Sequence, residues 1–184
     1  MSKIIKRIDN IKILNSHFYN DKRGFFFEIY NQKRFFLHNI KDSFVQNSIS
    51  VSKKGVIRGL HYTINNPQSQ LLTVLEGKIF DCLVDLRVNS KNFLKYYSFI
   101  LKHNKNNQIY MPPGFAHGFC VLSNKAILHY SASKTYEPSN SGGLIWNDKK
   151  INIKWPQKKP IISKRDKNFK TIDNLIKSKK LPKI

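Results

Sequence analysis

Two stretches of this chain carry residues able to do chemistry. Gly55-Val56-Ile57-Arg58-Gly59-Leu60-His61-Tyr62 and Pro112-Pro113-Gly114-Phe115-Ala116-His117-Gly118-Phe119 each set one histidine at the end of a glycine-punctuated, apolar-rich strand. Imidazole changes its charge near neutral pH, so it can act as acid, base or metal ligand. Taken singly, either histidine reads as a hydrogen-bonded structural residue. Two of them pointing inward, with Arg58 beside the first, describe a small-molecule site inside a β-barrel. Residues three apart on an ideal strand face opposite sides, so Arg58 and His61 share a face only if Gly55 or Gly59 admits a bulge.

The spacing Pro112-x-Gly114-x-x-His117 is a pattern of the cupin superfamily of small jelly-roll barrels, where it turns the chain and aims a histidine inward. Metal-binding cupins add His-x-His and a glutamate a few residues later. Here Thr63 stands two residues after His61, and the next glutamate is Glu76. A divalent ion usually takes three or more protein ligands, so the expectation is a site without metal. Both imidazoles are then free for acid–base work. Inverting a carbon by proton transfer needs a carboxylate to orient the base and a second proton-bearing group on the opposite face. Asp166 in Ser163-Lys164-Arg165-Asp166 suits the first task, and Tyr130 or Tyr136 the second. A phenol, with a pKa near ~10, can protonate a carbanion or enolate.

The elements that must position these residues are short strands. Ile11 to Leu14, Gly24 to Tyr30, Phe44 to Val51, Leu71 to Leu75, Lys78 to Leu86, Tyr96 to Leu101, Gln108 to Met111, Gly118 to Leu122 and Ala126 to Ser133 are rich in Ile, Val, Phe and Tyr and bounded by Gly, Pro, Asn and Lys. Such spacing predicts a mainly β sandwich or barrel. Helical signals are confined to Gln32 to Asn39 and to Phe169 to Lys179, where Phe169, Ile172, Leu175 and Ile176 recur at helical spacing. The Lys-rich end is expected to fray. With 184 residues, 40% hydrophobic, the chain suits one domain spanning 1–184 with a sizeable core. No apolar run approaches the ~18 residues of a membrane span, and the first residues lack an h-region and cleavage site, so a cytoplasmic location is expected. Cys82 and Cys120 sit in apolar runs and read as small buried hydrophobes. The formal charge of +22 comes from Lys spread along the whole chain, 27 of the 33 basic residues. It marks a compositional bias and not a nucleic-acid surface, although a positive field attracts a diphosphate and binds polyanions non-specifically at low salt.

These pieces in order resemble the dTDP-4-dehydrorhamnose 3,5-epimerase family. The resemblance runs through Asp21-Lys22-Arg23-Gly24-Phe25-Phe26-Phe27-Glu28, Phe44-Val45-Gln46-Asn47-Ser48, Val56 to Tyr62, Gly77 to Asp81, Val84-Asp85-Leu86-Arg87, Gly114 to Phe119, Ile145-Trp146-Asn147-Asp148, Trp155-Pro156 and Ser163 to Asp166. It implies a cupin jelly roll, a homodimer, and no metal or organic cofactor. It also implies that His61 is a general base paired with Asp166, and that Tyr130 is the acid on the other face. Arg23, Glu28, Gln46, Ser48, Arg58, His117, Tyr136 and Arg165 would then hold the nucleotide diphosphate or the sugar.

The chain departs from the family pattern just after His61. A Lys common in a Gln-x-Lys segment is replaced in Gln68-Ser69-Gln70, and the loop before it is one residue shorter. Gln70 donates hydrogen bonds without charge at a place implied to face the sugar. Ser48 and Ser141 stand where Asn and Glu are common. Two other readings of the same residues are a nucleotide-sugar 3,4-ketoisomerase and a cupin that binds a nucleotide sugar without turning it over.

Overall fold

The computed structural model describes residues 3–184. β1 (Lys3–Ile8) and β2 (Ile11–Asn15) form a hairpin at Asp9-Asn10, both with positive φ, as a two-residue turn matched to strand twist requires. β3 (Phe18–Asp21) and β4 (Gly24–Phe27) form a second hairpin, followed by α1 (Gln32–Leu37). Then come β5 (Gln46–Lys53), β6 (Ile57–Thr63), β7 (Gln70–Glu76), β8 (Lys78–Asp85), β9 (Tyr96–Lys102), β10 (Gln108–Met111), β11 (Phe115–Val121) and β12 (Lys125–Ala132). A short 3-10 turn (Pro138–Asn140) leads into β13 (Ser141–Gly143), and α2 (Lys164–Lys167) and α3 (Ile172–Lys177) follow.

The strands assemble into two antiparallel sheets, β1-β2-β10-β7-β12-β5 and β13-β6-β11-β8-β9, with the β3–β4 hairpin apart. Leu72, Val74, Ile109 and Leu128 from the first sheet meet Ile79, Leu83, Leu101, Phe119 and Val121 from the second in one buried cluster. Each such side chain contributes roughly 1.5–3 kcal/mol on burial. The two-residue period of a strand carries the same inward rows on to polar residues. Phe115, Phe119 and Val121 place His117 inward, Ala126 and Leu128 place Tyr130 inward, and Ile79 and Leu83 place Asp81 inward.

One irregularity matters most. Between β6 and β11, His61 pairs with His117 and Arg58 with Phe119, so three steps on β6 face two on β11. The extra residue on β6 is a bulge, and it turns Arg58 and His61 to the same face. Gly59 makes it feasible: its φ is +124°, and a Cβ there would stand 2.6 Å from the Gly118 Cα and 2.8 Å from the His117 carbonyl oxygen.

Several sequence expectations are corrected. β1, β3 and β13 were not foreseen, because basic residues mask the alternation of an edge strand in β1, β3 has only four residues, and Ser-Gly-Gly has no strand propensity until β6 pairs with it. β11 begins at Phe115, so His117 lies within a strand and not before one. Phe169 stands outside α3, which starts at Ile172. The end of the chain is docked, not frayed: Leu181 is 8% exposed and joins a cluster with Leu60, Tyr62, Val84 and Ala116. Cys82 and Cys120 are buried free thiols.

Gly59→Ala should destabilise the protein by about 2 kcal/mol or more, since it adds left-handed strain to a backbone clash. Urea unfolding checks this; an unchanged midpoint would show that the bulge tolerates a side chain.

Candidate active site

A cavity of about 1220 Å³ opens between the sheets, lined by Ser48, Arg58, His61, Gln70, His117, Tyr130, Tyr136 and Arg165 among others. Both sheets supply its walls. His61 and His117 come from β6 and β11 of one sheet, and Ser48, Gln70 and Tyr130 from β5, β7 and β12 of the other.

His61 is set by two contacts. Its Nε2 lies 3.0 Å from Asp166 Oδ1, and its ring meets Phe169 edge-on at 5.5 Å between centroids. Asp166 sits in α2, capped by the Ser163 hydroxyl, and its second oxygen accepts the Gly59 N–H at 3.0 Å. One carboxylate therefore holds both the bulge and the imidazole. Burial alone would raise the Asp166 carboxyl, but the hydrogen bonds from His61 and from the Gly59 N–H outweigh it and hold the group below its ordinary value. With Nε2–H donating to the carboxylate, Nδ1 of His61 is left as the acceptor.

His117 repeats the arrangement one strand away. Its Nε2 stands 2.7 Å from Asp81 Oδ2, and Asp81 is fully buried. Sequence reading missed Asp81, although a charged residue inside Ile79-Phe80-Asp81-Cys82-Leu83 was the available signal. Each histidine thus commits one ring nitrogen to a carboxylate. Among the described residues, no three His, Cys, Asp or Glu converge as a metal site would need.

Tyr130 faces this pair from the opposite sheet. Its hydroxyl is 3.1 Å from the Ser50 hydroxyl, a partner unforeseen from sequence. Burial pushes the Tyr130 phenol up to about 12; the Ser50 hydrogen bond and Arg58 pull it down, and Asp81 adds to the rise. The phenol is therefore held protonated throughout the neutral range. Arg58 donates through Nε to the buried Ser52 hydroxyl at 2.9 Å and through Nη2 to the Val51 carbonyl at 3.2 Å, without a carboxylate partner among the described residues. Its charge is available to an anion.

Tyr136 and Arg165 stand at the mouth. Arg165 donates to the Tyr136 hydroxyl (3.3 Å) and the Ser141 hydroxyl (2.8 Å), and the side-chain Oε1 of Gln46 accepts the Tyr136 N–H at 2.7 Å. Gln46 itself does not line the cavity. Arg23 and Glu28 are not brought to this cavity in their own chain. Arg23 pairs with Asp21 on the exposed β3–β4 hairpin, and Glu28 pairs with Arg34 on α1.

The family model for dTDP-4-dehydrorhamnose 3,5-epimerase matches residues 6–174. The chain belongs to that family. It is 39% identical over 182 residues to the Escherichia coli dTDP-4-dehydrorhamnose 3,5-epimerase, covering 97% of this chain and 98% of the relative. The structure of a dTDP-6-deoxy-D-glucose-3,5-epimerase from Legionella pneumophila, in complex with dTDP-4-keto-L-rhamnose, superposes with a TM-score of 0.92 at 38% identity, covering 100% of this chain and 99% of that one. A dTDP-4-dehydrorhamnose 3-epimerase from Streptomyces niveus is 35% identical over 150 residues, covering 80% of this chain and 72% of the relative. These enzymes are isomerases acting on carbohydrates, and the two-sheet barrel is their cupin-type fold.

The lowered carboxyl of Asp166 has a consequence for stability. The folded state binds this proton less tightly than the unfolded chain. The contribution is therefore complete above the ordinary carboxylate range near ~4 and is lost as pH falls through the folded value. The stability gap between wild type and Asp166→Asn should narrow from pH 7 to pH 3 in urea titrations. A constant gap would contradict the assignment.

Proposed function

We propose that this chain epimerises one or both carbons flanking the ketone of a dTDP-linked 4-keto-6-deoxy sugar, in the biosynthesis of a deoxysugar. The observation that carries the reading is that His61 and Tyr130 enter one cavity from facing sheets, one backed by a carboxylate and the other held protonated. A substrate carbon between them meets a base on one face and an acid on the other.

The chemistry follows from those positions. The C4 ketone acidifies the hydrogens on C3 and C5. Nδ1 of His61 takes one such proton, and the C–H electron pair moves into an enolate whose charge rests on O4. Asp166 stabilises the imidazolium formed. The Tyr130 hydroxyl then delivers its proton to the opposite face, the enolate electrons form the new C–H bond, and the centre is inverted. The phenolate left on Tyr130 recovers a proton from solvent through the cavity, and the His61 imidazolium releases the proton it took to solvent, which restores both groups. An acid with a pKa near 12 suits a strongly basic enolate while staying protonated at neutral pH. Arg58 and Arg165 are the cations for the diphosphate, and His117, fixed by Asp81, adds a donor at the sugar.

A single inversion is the second reading, and Gln70 favours it. It lines the cavity without a charge, so an enolate at O4 meets one cationic donor fewer, an effect of up to ~3–4 kcal/mol where such a donor has been removed elsewhere, and the slower of the two inversions is lost first. We infer also that the working unit is a cytoplasmic homodimer. Val45, Ile49 and Val51 on and beside the edge strand β5 are more than half exposed, as are Phe25 and Phe26 beside Arg23. A contact between Arg23 and substrate then needs the pocket of a partner subunit.

Three measurements test this. Incubation with dTDP-4-keto-6-deoxyglucose followed by proton NMR should show inverted coupling at C3, C5 or both with the ketone still at C4. A ketone moved to C3 would mean a ketoisomerase, and an unchanged sugar a binder. Tyr130→Phe should lower kcat by about 10²–10⁴ with little change in KM; retained turnover would remove the phenol from the reaction. Gln70→Lys should change the ratio of C3 to C5 inversion, and an unchanged ratio would refute the single-inversion reading.

A further inference from the structure

The loop between β6 and β7 forms one rim of the cavity through Asn65, Asn66, Pro67 and Gln68, and it leads directly into Gln70. A loop of this kind would be free to move, but it is gripped on both sides. On one side stands Asn140, at the end of the 3-10 turn before β13. Its Oδ1 accepts the Asn65 N–H at 2.8 Å, and its Nδ2 donates to the Asn65 carbonyl at 2.9 Å. The carboxamide thereby makes both bonds that a strand partner would make. It extends the β6–β13 ladder beyond its last pair, Thr63 with Ser141, while the Asn140 carbonyl takes the Ile64 N–H at 3.0 Å.

On the other side lies the end of the chain. The Lys183 N–H donates to the Ile64 carbonyl at 2.7 Å, and Lys183 forms a parallel bridge with Asn65. This segment is anchored in turn: the Tyr62 hydroxyl donates to the Lys180 carbonyl at 2.8 Å, and Leu181 is buried. The family match ends at residue 174, so this half of the grip lies beyond it.

We propose that Asn140 and Lys183 are positioning residues that clamp the β6–β7 loop and thereby set the affinity of the cavity for a nucleotide sugar. The groups that make the clamp, the Asn140 carboxamide and the Lys183 backbone N–H, are not acid–base groups. Both act by removing backbone freedom that binding would otherwise have to freeze. Asn140 also links two walls of the mouth, because the segment it ends carries Tyr136 and leads into Ser141, the residues that hold Arg165. The proposal rests on the cavity being the nucleotide-sugar site.

The test is calorimetric titration with dTDP alongside steady-state kinetics for wild type, Asn140→Ala and Lys183→Pro, the last of which removes the backbone donor. Each variant should weaken the Kd for dTDP and raise KM by about tenfold, with kcat within about twofold and the melting temperature within a few degrees of wild type. Variants that bind dTDP as wild type does would overturn the proposal, as would a fall in melting temperature and kcat at constant Kd, which marks a purely structural bond. If Asn140→Ala fails to fold, Asn140→Asp serves: it keeps the acceptor for the Asn65 N–H but sets a carboxylate oxygen against the Asn65 carbonyl, and it should weaken Kd in the same way. Failure of the cavity reading looks different, since wild type itself would then not bind dTDP.

Discussion

Asp166 uses its two oxygens for two tasks, and most of the site follows from that. One oxygen accepts the N–H of Gly59, at the centre of the bulge in β6; the other holds His61 through Nε2. The bulge is what turns Arg58 and His61 to one face, and only a residue without Cβ fits between it and β11. The same carboxylate therefore stabilises an irregular backbone and orients the imidazole of His61. A buried charge needs such partners. The hydrogen bonds overcome the burial that would otherwise neutralise Asp166.

The two-sheet architecture supplies the other requirement of an inverting proton transfer. A base and an acid must approach one carbon from opposite directions. Residues on one strand or one sheet cannot easily do so, whereas inward residues on facing sheets do so by construction. β6 offers His61 and β12 offers Tyr130, and the apolar rows that bring them inward also form the core below the cavity. Burial raises the Tyr130 phenol to about 12, and the imidazole of His61 is paired with a carboxylate.

Much of this was legible in the sequence. The alternation of apolar residues in strands such as Lys78 to Leu86 and Ala126 to Ser133 gave the fold class, and the order of motifs gave the family, confirmed by the match over residues 6–174. His61, His117, Tyr130 and Arg58 meet in one cavity as expected. What stayed hidden depends on contacts distant in sequence. Asp81 falls within the Gly77 to Asp81 motif, but nothing in the sequence shows its purpose until His117 lies beside it. The grip of Ser50 on Tyr130 and of Phe169 on His61 needs strands and helices to be assembled first. The tail looked mobile because it is Lys-rich, and Leu181 alone was too weak a signal that it docks. Arg23 and Glu28 could be assigned only by resemblance, and within one chain they remain away from the cavity.

The central claim is that His61, oriented by Asp166, removes the proton from the carbon beside the ketone. Incubation with dTDP-4-keto-6-deoxyglucose in heavy water tests it most directly, with deuterium at C3 and C5 followed by NMR and mass spectrometry. Wild type should incorporate solvent deuterium at one or both positions, and His61→Asn should incorporate it at neither above the rate without enzyme. Incorporation by His61→Asn at the wild-type rate would contradict the account.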